Sequence, residues 1–108
     1  MSIFNIFSKK EDISDLGKFA FEMQIDDIFS LIPTGVVLVG IIRKGKIHTN
    51  SDIMIIDKKG EILHKKTVSA MEQFYKPVTF AKKGQAVAIK LDNISKEEIN
   101  IGDYIVIE

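Results

Sequence analysis

The sequence predicts an all-β domain, and three features of its residue pattern support this class. Across residues 19–26, large apolar residues alternate with smaller or polar ones, as in a half-buried strand. Residues 36–42 form an apolar, β-branched run, which is typical of a strand covered on both faces. Turn residues recur about every ten positions, and no long helix is predicted between them. Strands without intervening helices favour an antiparallel sandwich or barrel over a parallel α/β sheet.

The length and composition of the chain are those of a single globular domain. Its 108 residues are too few for two domains with adequate cores, and 45% apolar with 28% charged residues is an ordinary globular composition. The longest apolar run, residues 35–42, is too short to span a bilayer, and the first ten residues lack the features of a secretory signal. We therefore expect a soluble cytoplasmic protein with no membrane span.

The chain divides into an N-terminal segment, residues 1–17, and a β domain, residues 18–108. Ser8 and Glu11 have the spacing of a capping box, so a short helix is predicted over residues 9–16. Further strands are predicted, in chain order, over residues 36–42, 53–56, 61–74, 78–80, 85–91 and 104–107, with a helical turn at 95–98.

The charges are unevenly distributed, although the formal net charge is zero. Residues 1–30 carry three basic and six acidic groups (−3), residues 31–90 eleven and four (+7), and residues 91–108 one and five (−4). A basic centre can mark a surface for a polyanion, but lysines also decorate solvated strand faces and hairpin tips. Charge alone leaves both interpretations open.

Motifs for catalysis and metal binding are weak in this sequence. Residues 40–47 approximate a phosphate-binding loop, but Ile47 stands where a magnesium-binding hydroxyl is required and a strand, not a helix, is predicted to follow. The two His residues are sixteen positions apart and there is no Cys, so no metal site is expected. We expect no cofactor and no catalytic residues; an enzyme would depend on a strand-end carboxylate such as Asp27 or Glu72.

Aromatic residues near lysines form the most informative pattern. These are Phe29, Phe74, Tyr75 and Phe80, with Lys76, Lys82 and Lys83 beside them. Aromatic rings with lysines suit base stacking and backbone contacts on single-stranded nucleic acid, whereas Phe residues in a core with Lys at the rim would look the same in sequence. Tyr75 follows Phe74 in a predicted strand, so one of the two should face outward.

Several motifs keep one order and nearly constant spacing over residues 19–107. They are DIFS at 27–30, GVVLVG at 35–40, KGKI at 44–47, EQF at 72–74, AKKG at 81–84 and the segment 94–103. Together they resemble the second domain of elongation factor Tu and related translational GTPases. The resemblance implies a closed six-stranded antiparallel β-barrel of this type, here without the GTPase domain.

The resemblance also implies a ligand site, because in elongation factor Tu this barrel holds the aminoacylated 3′ end of tRNA. Asp27 and Phe29 match the family's Asp and Phe near the pocket, and Glu72 matches the acidic residue that contacts the terminal adenosine. Other positions depart from the family: two arginines are replaced by Thr34 and Tyr75, an Asn by Ala86, and two Thr residues by Val36 and Val39.

From these observations we expect a non-catalytic binding module. One hypothesis is protein–protein interaction or self-association, for which the apolar residues before the predicted helix are candidates: Ile3, Phe4, Ile6 and Phe7. The alternative is RNA or ribosome binding linked to translation, through the family positions with Tyr75 and Lys76. DNA binding and membrane insertion are not expected.

Overall fold

The computed structural model describes residues 18–108, and within them the fold is all-β, as predicted. The described residues form eleven strands, in chain order: β1 Phe21–Gln24, β2 Asp27–Ser30, β3 Val36–Lys44, β4 Lys46–His48, β5 Asp52–Ile56, β6 Ile62–Thr67, β7 Ala70–Gln73, β8 Lys76–Val78, β9 Phe80–Lys82, β10 Ala86–Leu91 and β11 Tyr104–Ile107. The predicted helix over residues 9–16, and the apolar residues Ile3, Phe4, Ile6 and Phe7, lie outside the described residues. No helix among residues 18–108 is long and apolar enough to cross a membrane.

The strands form one curled antiparallel sheet and a separate two-stranded ribbon. The hydrogen-bonded order in the sheet is β6-β5-β11-β1-β3-β10-β7-β8, with β2 also paired to β3. β4 and β9 pair with each other to form the ribbon. β3 is the longest strand, because its nine residues serve in turn as the partner of β1, β2 and β10.

The inner face of the curled sheet encloses the main hydrophobic core. Residues alternate along β3, so that Val36, Leu38, Gly40 and Ile42 are buried while Val37, Val39 and Ile41 are more exposed. A second, smaller cluster lies on the other side of β11 and contains Phe19, Ile56, Tyr104 and Val106. β11 is therefore covered on both faces, which explains its continuous apolar sequence.

The sequence predicts one long strand over residues 61–74, and this prediction is wrong in one respect. The chain bends at Val68 and forms two strands, β6 and β7. β6 pairs with β5, whereas β7 pairs with β10. At the bend, the Val68 N–H donates to the Ser51 carbonyl at 2.9 Å and the Ser69 N–H donates to the Lys90 carbonyl at 2.9 Å. Each side of the bend thus bonds a different part of the sheet, which alternation along the sequence does not reveal.

The sheet is a curled half-barrel, and closure into a ring of six strands is not confirmed. Its hydrogen-bonded order ends at β6 and β8, which do not pair with each other. The sequence also did not separate β2 from β1 or identify β4, because each is only three or four residues long. A predicted strand at 78–80 is replaced by the ends of β8 and β9, which meet at Thr79.

The helical turn predicted at residues 95–98 is observed as a 3-10 turn, Lys96–Glu98. The Ser95 hydroxyl accepts from the Glu97 N–H at 3.2 Å, and the Glu98 carboxylate accepts from the Ser95 N–H at 2.9 Å. The same hydroxyl also hydrogen-bonds the Glu97 carboxylate, and this bond lowers the pKa of Glu97. The reciprocal bonds are those of a capping box.

Candidate functional site

A row of directly opposed residues crosses four neighbouring strands on the outer face of the sheet. In register, Asp27 lies opposite Val39, Val39 opposite Ala88, and Ala88 opposite Glu72. Directly opposed residues of antiparallel strands project from the same face. Three strand spacings separate the two carboxylate positions, about 14 Å in all. Asp27 and Glu72 therefore share a face without forming a close pair.

Phe29 projects from the same face one step further along β2. It lies opposite Val37, and Val37 in turn lies opposite Lys90 of β10. The intervening residue Ile28 is buried, whereas the Phe29 side chain is 52% exposed. Alternation in β2 thus sends the aromatic ring of Phe29 outward, beside the small apolar side chains of β3 and β10.

The turn between β7 and β8 displays two aromatic side chains. Phe74 and Tyr75 are its two central residues, flanked by the opposed pair Gln73 and Lys76. Their φ angles are 53° and 66°, and their side chains are 87% and 97% exposed. We expected one of the two residues to face outward; in the structure both do, because the strand alternation does not continue into the turn. Because both are turn residues with left-handed backbone, both project into solvent.

These elements border an open groove of about 470 Å³ on the outer face. Its lining is formed by Phe29, Val37, Val39, Glu72, Gln73, Phe74, Tyr75, Ala86, Val87 and Ala88. The walls are aromatic or small and aliphatic, and Glu72 is the one carboxylate among them. A second depression extends the groove towards Leu31, Ala70 and Lys90. Such a site can hold a flat ring against apolar walls and accept a hydrogen bond from it.

The sequence offers five candidate residues for binding a ligand or RNA. The groove brings together three of them: Phe29, Glu72 and Tyr75. Asp27 does not line it, and the Asp27 carboxylate instead accepts the N–H of Ile28 at 2.9 Å. Lys76 is exposed and directly follows the turn, next to the groove but not part of its wall. Of the two strand-end carboxylates considered for an enzyme, only Glu72 lines the groove.

The aromatic residues grouped by sequence separate into two places in the fold. Phe29, Phe74 and Tyr75 lie at the groove, whereas Phe80 lies on the β4–β9 ribbon with its ring centroid 5.0 Å from that of His48. The sequence places Phe80 close to Tyr75, but β8 and the bend at Thr79 carry it to another surface.

The floor of the groove was not predicted, although the sequence contains a signal for it. Val37 and Val39 are outward residues of the run predicted to be apolar on both faces, and Ala88 lies opposite Val39. Gln73 was also missed; its side-chain amide donates to the Ala86 carbonyl at 3.1 Å, which fixes the end of β7 against β10. Among residues 18–108 no group of His, Asp and Glu side chains is arranged to hold a metal ion.

A family model matches most of the β domain. The model of elongation factor Tu domain 2 matches residues 35–106, which include β3 through most of β11. The matched segment contains Glu72, Tyr75 and the apolar floor of the groove, while Asp27 and Phe29 precede it.

Two individual proteins illustrate the similarity. The elongation factor Tu of the Plasmodium falciparum apicoplast is 38% identical over 82 residues, which is 76% of this chain and 20% of that protein. The fold is similar to that of translation elongation factor SelB from Methanococcus maripaludis, with a TM-score of 0.72 and 22% identity over 82% of this chain and 19% of the other. The chain thus spans about a fifth of the length of either protein.

Proposed function

The chain belongs to the elongation factor Tu domain 2 family, and from this premise we propose that it is a translation-related module that binds RNA. Domain 2 of translation factors is a non-catalytic domain, so we expect this chain to act by binding rather than by catalysis. A cytoplasmic location, expected from the sequence, fits such a role and is part of the proposal. The ligand we propose for the groove is a base at the single-stranded end of an RNA.

The observation that carries this proposal is the position of exposed aromatic rings around one carboxylate. Phe74 and Tyr75 are almost fully exposed at one side of the groove, and the half-exposed Phe29 also lines it. Stacking of a base on an aromatic ring is worth about 1–3 kcal/mol and is tolerant of base identity. Glu72 can accept a hydrogen bond from an amino group or a ribose hydroxyl, which gives the groove a polar contact that an aliphatic ligand would not use.

At two positions where this sequence departs from the family pattern, the substitutions are compatible with RNA binding by a different type of contact. By resemblance, Tyr75 replaces an Arg, so a cation that pairs with phosphate is exchanged for a ring that stacks on a base. Ala86 replaces an Asn and lines the groove, which makes its wall more apolar. We therefore expect a binding mode dominated by base stacking, with less dependence on an aminoacyl group.

A titration with a fluorescent, single-stranded RNA that ends in adenosine tests the proposal. Wild-type protein should bind, and Tyr75→Ala should weaken the affinity about tenfold, the loss expected for one stacked base. Ile62→Ala is the matched control, because Ile62 is also an exposed apolar residue but lies on β6 at the other end of the strand order. No RNA binding by the wild-type protein at low salt would refute the proposal.

A second candidate function is protein–protein interaction or self-association, and the apolar outer face favours it. Ile41 is 55% exposed beside the half-buried Val37 and Val39, so apolar side chains are continuous along the outside of β3. Exposed apolar patches of this kind often mark contact surfaces. Light scattering over a concentration series would support it if mass rises with concentration and Ile41→Glu abolishes the rise. A constant monomer mass would exclude self-association.

We also propose that β6 and β7 act as one bent strand that closes the barrel. They are consecutive in the chain and pair with β5 and β10, which lie on opposite sides of the sheet order. Contacts from β6 to the 93–98 segment support closure: the Lys66 ammonium donates to the Asn93 carbonyl at 3.0 Å, and a His64 ring nitrogen lies 2.9 Å from the Glu98 carbonyl oxygen.

A further inference from the structure

The β4–β9 ribbon presents two lysines in direct opposition. Lys46 lies opposite Lys82, and the next outward pair is His48 opposite Phe80. Between them, Ile47 and Ala81 are buried, so the four outward residues share the exposed face of the ribbon. Like charges directly opposite each other in a ladder destabilise it. An anion bound between the two ammonium groups would offset this repulsion.

The ammonium groups of this face have no acidic partner in the described part of the chain. No carboxylate of residues 18–108 lies within ion-pairing distance of Lys46, Lys82 or Lys83. Arg43, at the nearby end of β3, differs because its guanidinium lies 4.0 Å from the carboxylate of Glu22. Within residues 18–108, Lys46 and Lys82 of the ribbon and Lys83 directly after it therefore have no carboxylate partner.

An exposed aromatic pair completes this surface. Phe80 is 41% exposed, and its ring is inclined by 53° to that of His48. The depression next to the pair is lined by Ala20, Gly45, Lys46, His48, Ser51, Phe80, Lys82, Lys83 and Ile107, with no carboxylate among them. A carboxylate-rich protein would use the lysines but not the rings, whereas a nucleic acid strand uses both.

We propose that the β4–β9 ribbon is a second RNA contact, which binds the sugar–phosphate backbone through Lys46, Lys82 and Lys83. This inference rests on the proposed function and adds a site to it. The groove between Phe29 and the β7–β8 turn has no lysine in its wall, and Lys90 lies only in its extension, whereas the depression at the ribbon is lined by three lysines. Both surfaces border β3: the groove at Val37 and Val39, and the ribbon at Gly45, directly after the end of the strand.

The salt dependence of RNA affinity separates the two contacts. Each phosphate contact on a single strand contributes about 0.7 to the slope of log affinity against log salt concentration. The triple variant Lys46→Gln, Lys82→Gln, Lys83→Gln should therefore reduce the slope by about 2 and weaken binding at low salt. The control, Lys58→Gln, Lys59→Gln, Lys65→Gln, makes the same charge change at exposed lysines elsewhere and should leave both quantities nearly unchanged.

The ribbon variant, its control and Tyr75→Ala are each titrated with the same adenosine-ended RNA. If Tyr75→Ala weakens binding and the ribbon variant equals its control, the ribbon inference is overturned while the groove stands. If the ribbon variant flattens the slope and Tyr75→Ala has no effect, the ribbon stands and the proposed groove falls. Competition by poly-glutamate as strong as that by RNA would assign the ribbon to an acidic protein and overturn the inference. Thermal unfolding should show no loss of stability in the ribbon variant, since it removes a like-charge pair.

Discussion

Phe74 and Tyr75 occupy the two central positions of the β7–β8 turn, and both have positive φ angles. Two-residue turns with this backbone strongly prefer Asn-Gly, because side chains with a bulky Cβ substituent are strained there. Each strained residue costs about 1–3 kcal/mol. Such strain is frequently found at functional sites, and here it places two rings at the edge of the groove.

Replacing the pair Phe74-Tyr75 with Asn-Gly should stabilise the protein and weaken RNA binding. The new residues fit the turn backbone, so the free energy of unfolding should rise by about 1 kcal/mol or more. The stacking surface is lost, so the affinity should fall by more than about tenfold. Denaturant unfolding and RNA titration measure the two effects. A variant that binds RNA as tightly as the wild-type protein would contradict the role assigned to these rings.

Glu72→Gln should reduce the preference for RNA over DNA of the same sequence. The carboxylate can accept a hydrogen bond from the ribose 2′-hydroxyl, and a charged acceptor makes a stronger bond than an amide oxygen. We expect the RNA affinity to fall about threefold to tenfold while the DNA affinity changes little. Parallel titrations with RNA and DNA give the ratio. Equal losses for both nucleic acids would show that Glu72 does not contact the sugar.

Long, regular elements were predictable from the sequence, and the features that form the groove were only partly so. The strands β3, β10 and β11 were predicted from their apolar, β-branched segments, because each crosses the core. The Phe74-Tyr75 turn was not predicted, since it contains none of the residues that normally signal such a turn. The meeting of Phe29 with Glu72 depends on the pairing of β2, β3, β10 and β7, which alternation within a single strand cannot specify.

Because β1 approaches β3 closely, we expect alanine substitutions at two glycines, Gly40 and Gly60, to differ in their cost to stability. A Cβ on Gly40 would lie 2.3 Å from the Gln24 carbonyl oxygen, whereas a Cβ on Gly60 would meet nothing within 4 Å. Gly40→Ala must therefore displace backbone and should cost about 3 kcal/mol. Gly60→Ala should cost only about 1 kcal/mol, from the strain of its φ of 88°. Equal destabilisation in denaturant unfolding would contradict the observed packing of β1 on β3.

Ser95→Ala should raise the pKa of Glu97 towards its ordinary value. The Ser95 hydroxyl bond to the carboxylate is the largest cause of the lowered pKa, followed by the bond from the Glu97 N–H. Because the pKa of Glu97 is lower in the folded turn, its ionised carboxylate stabilises the fold at pH values above the ordinary carboxyl pKa. This stabilisation is lost as the pH falls through the lowered pKa. A titration of the Glu97 side chain followed by NMR measures the change. An unchanged pKa in the variant would show that the hydroxyl does not set it.

The most direct test of the central claim is an NMR titration of isotope-labelled protein with the adenosine-ended RNA. Resonances of Phe29, Glu72, Phe74, Tyr75 and Ala88 should shift progressively with RNA concentration, because these residues line the groove or form its floor. Ala88→Leu, which fills the groove from β10, should abolish the shifts while the remaining spectrum stays folded. Shifts that avoid the groove, or that persist unchanged in Ala88→Leu, would contradict the claim that this groove binds RNA.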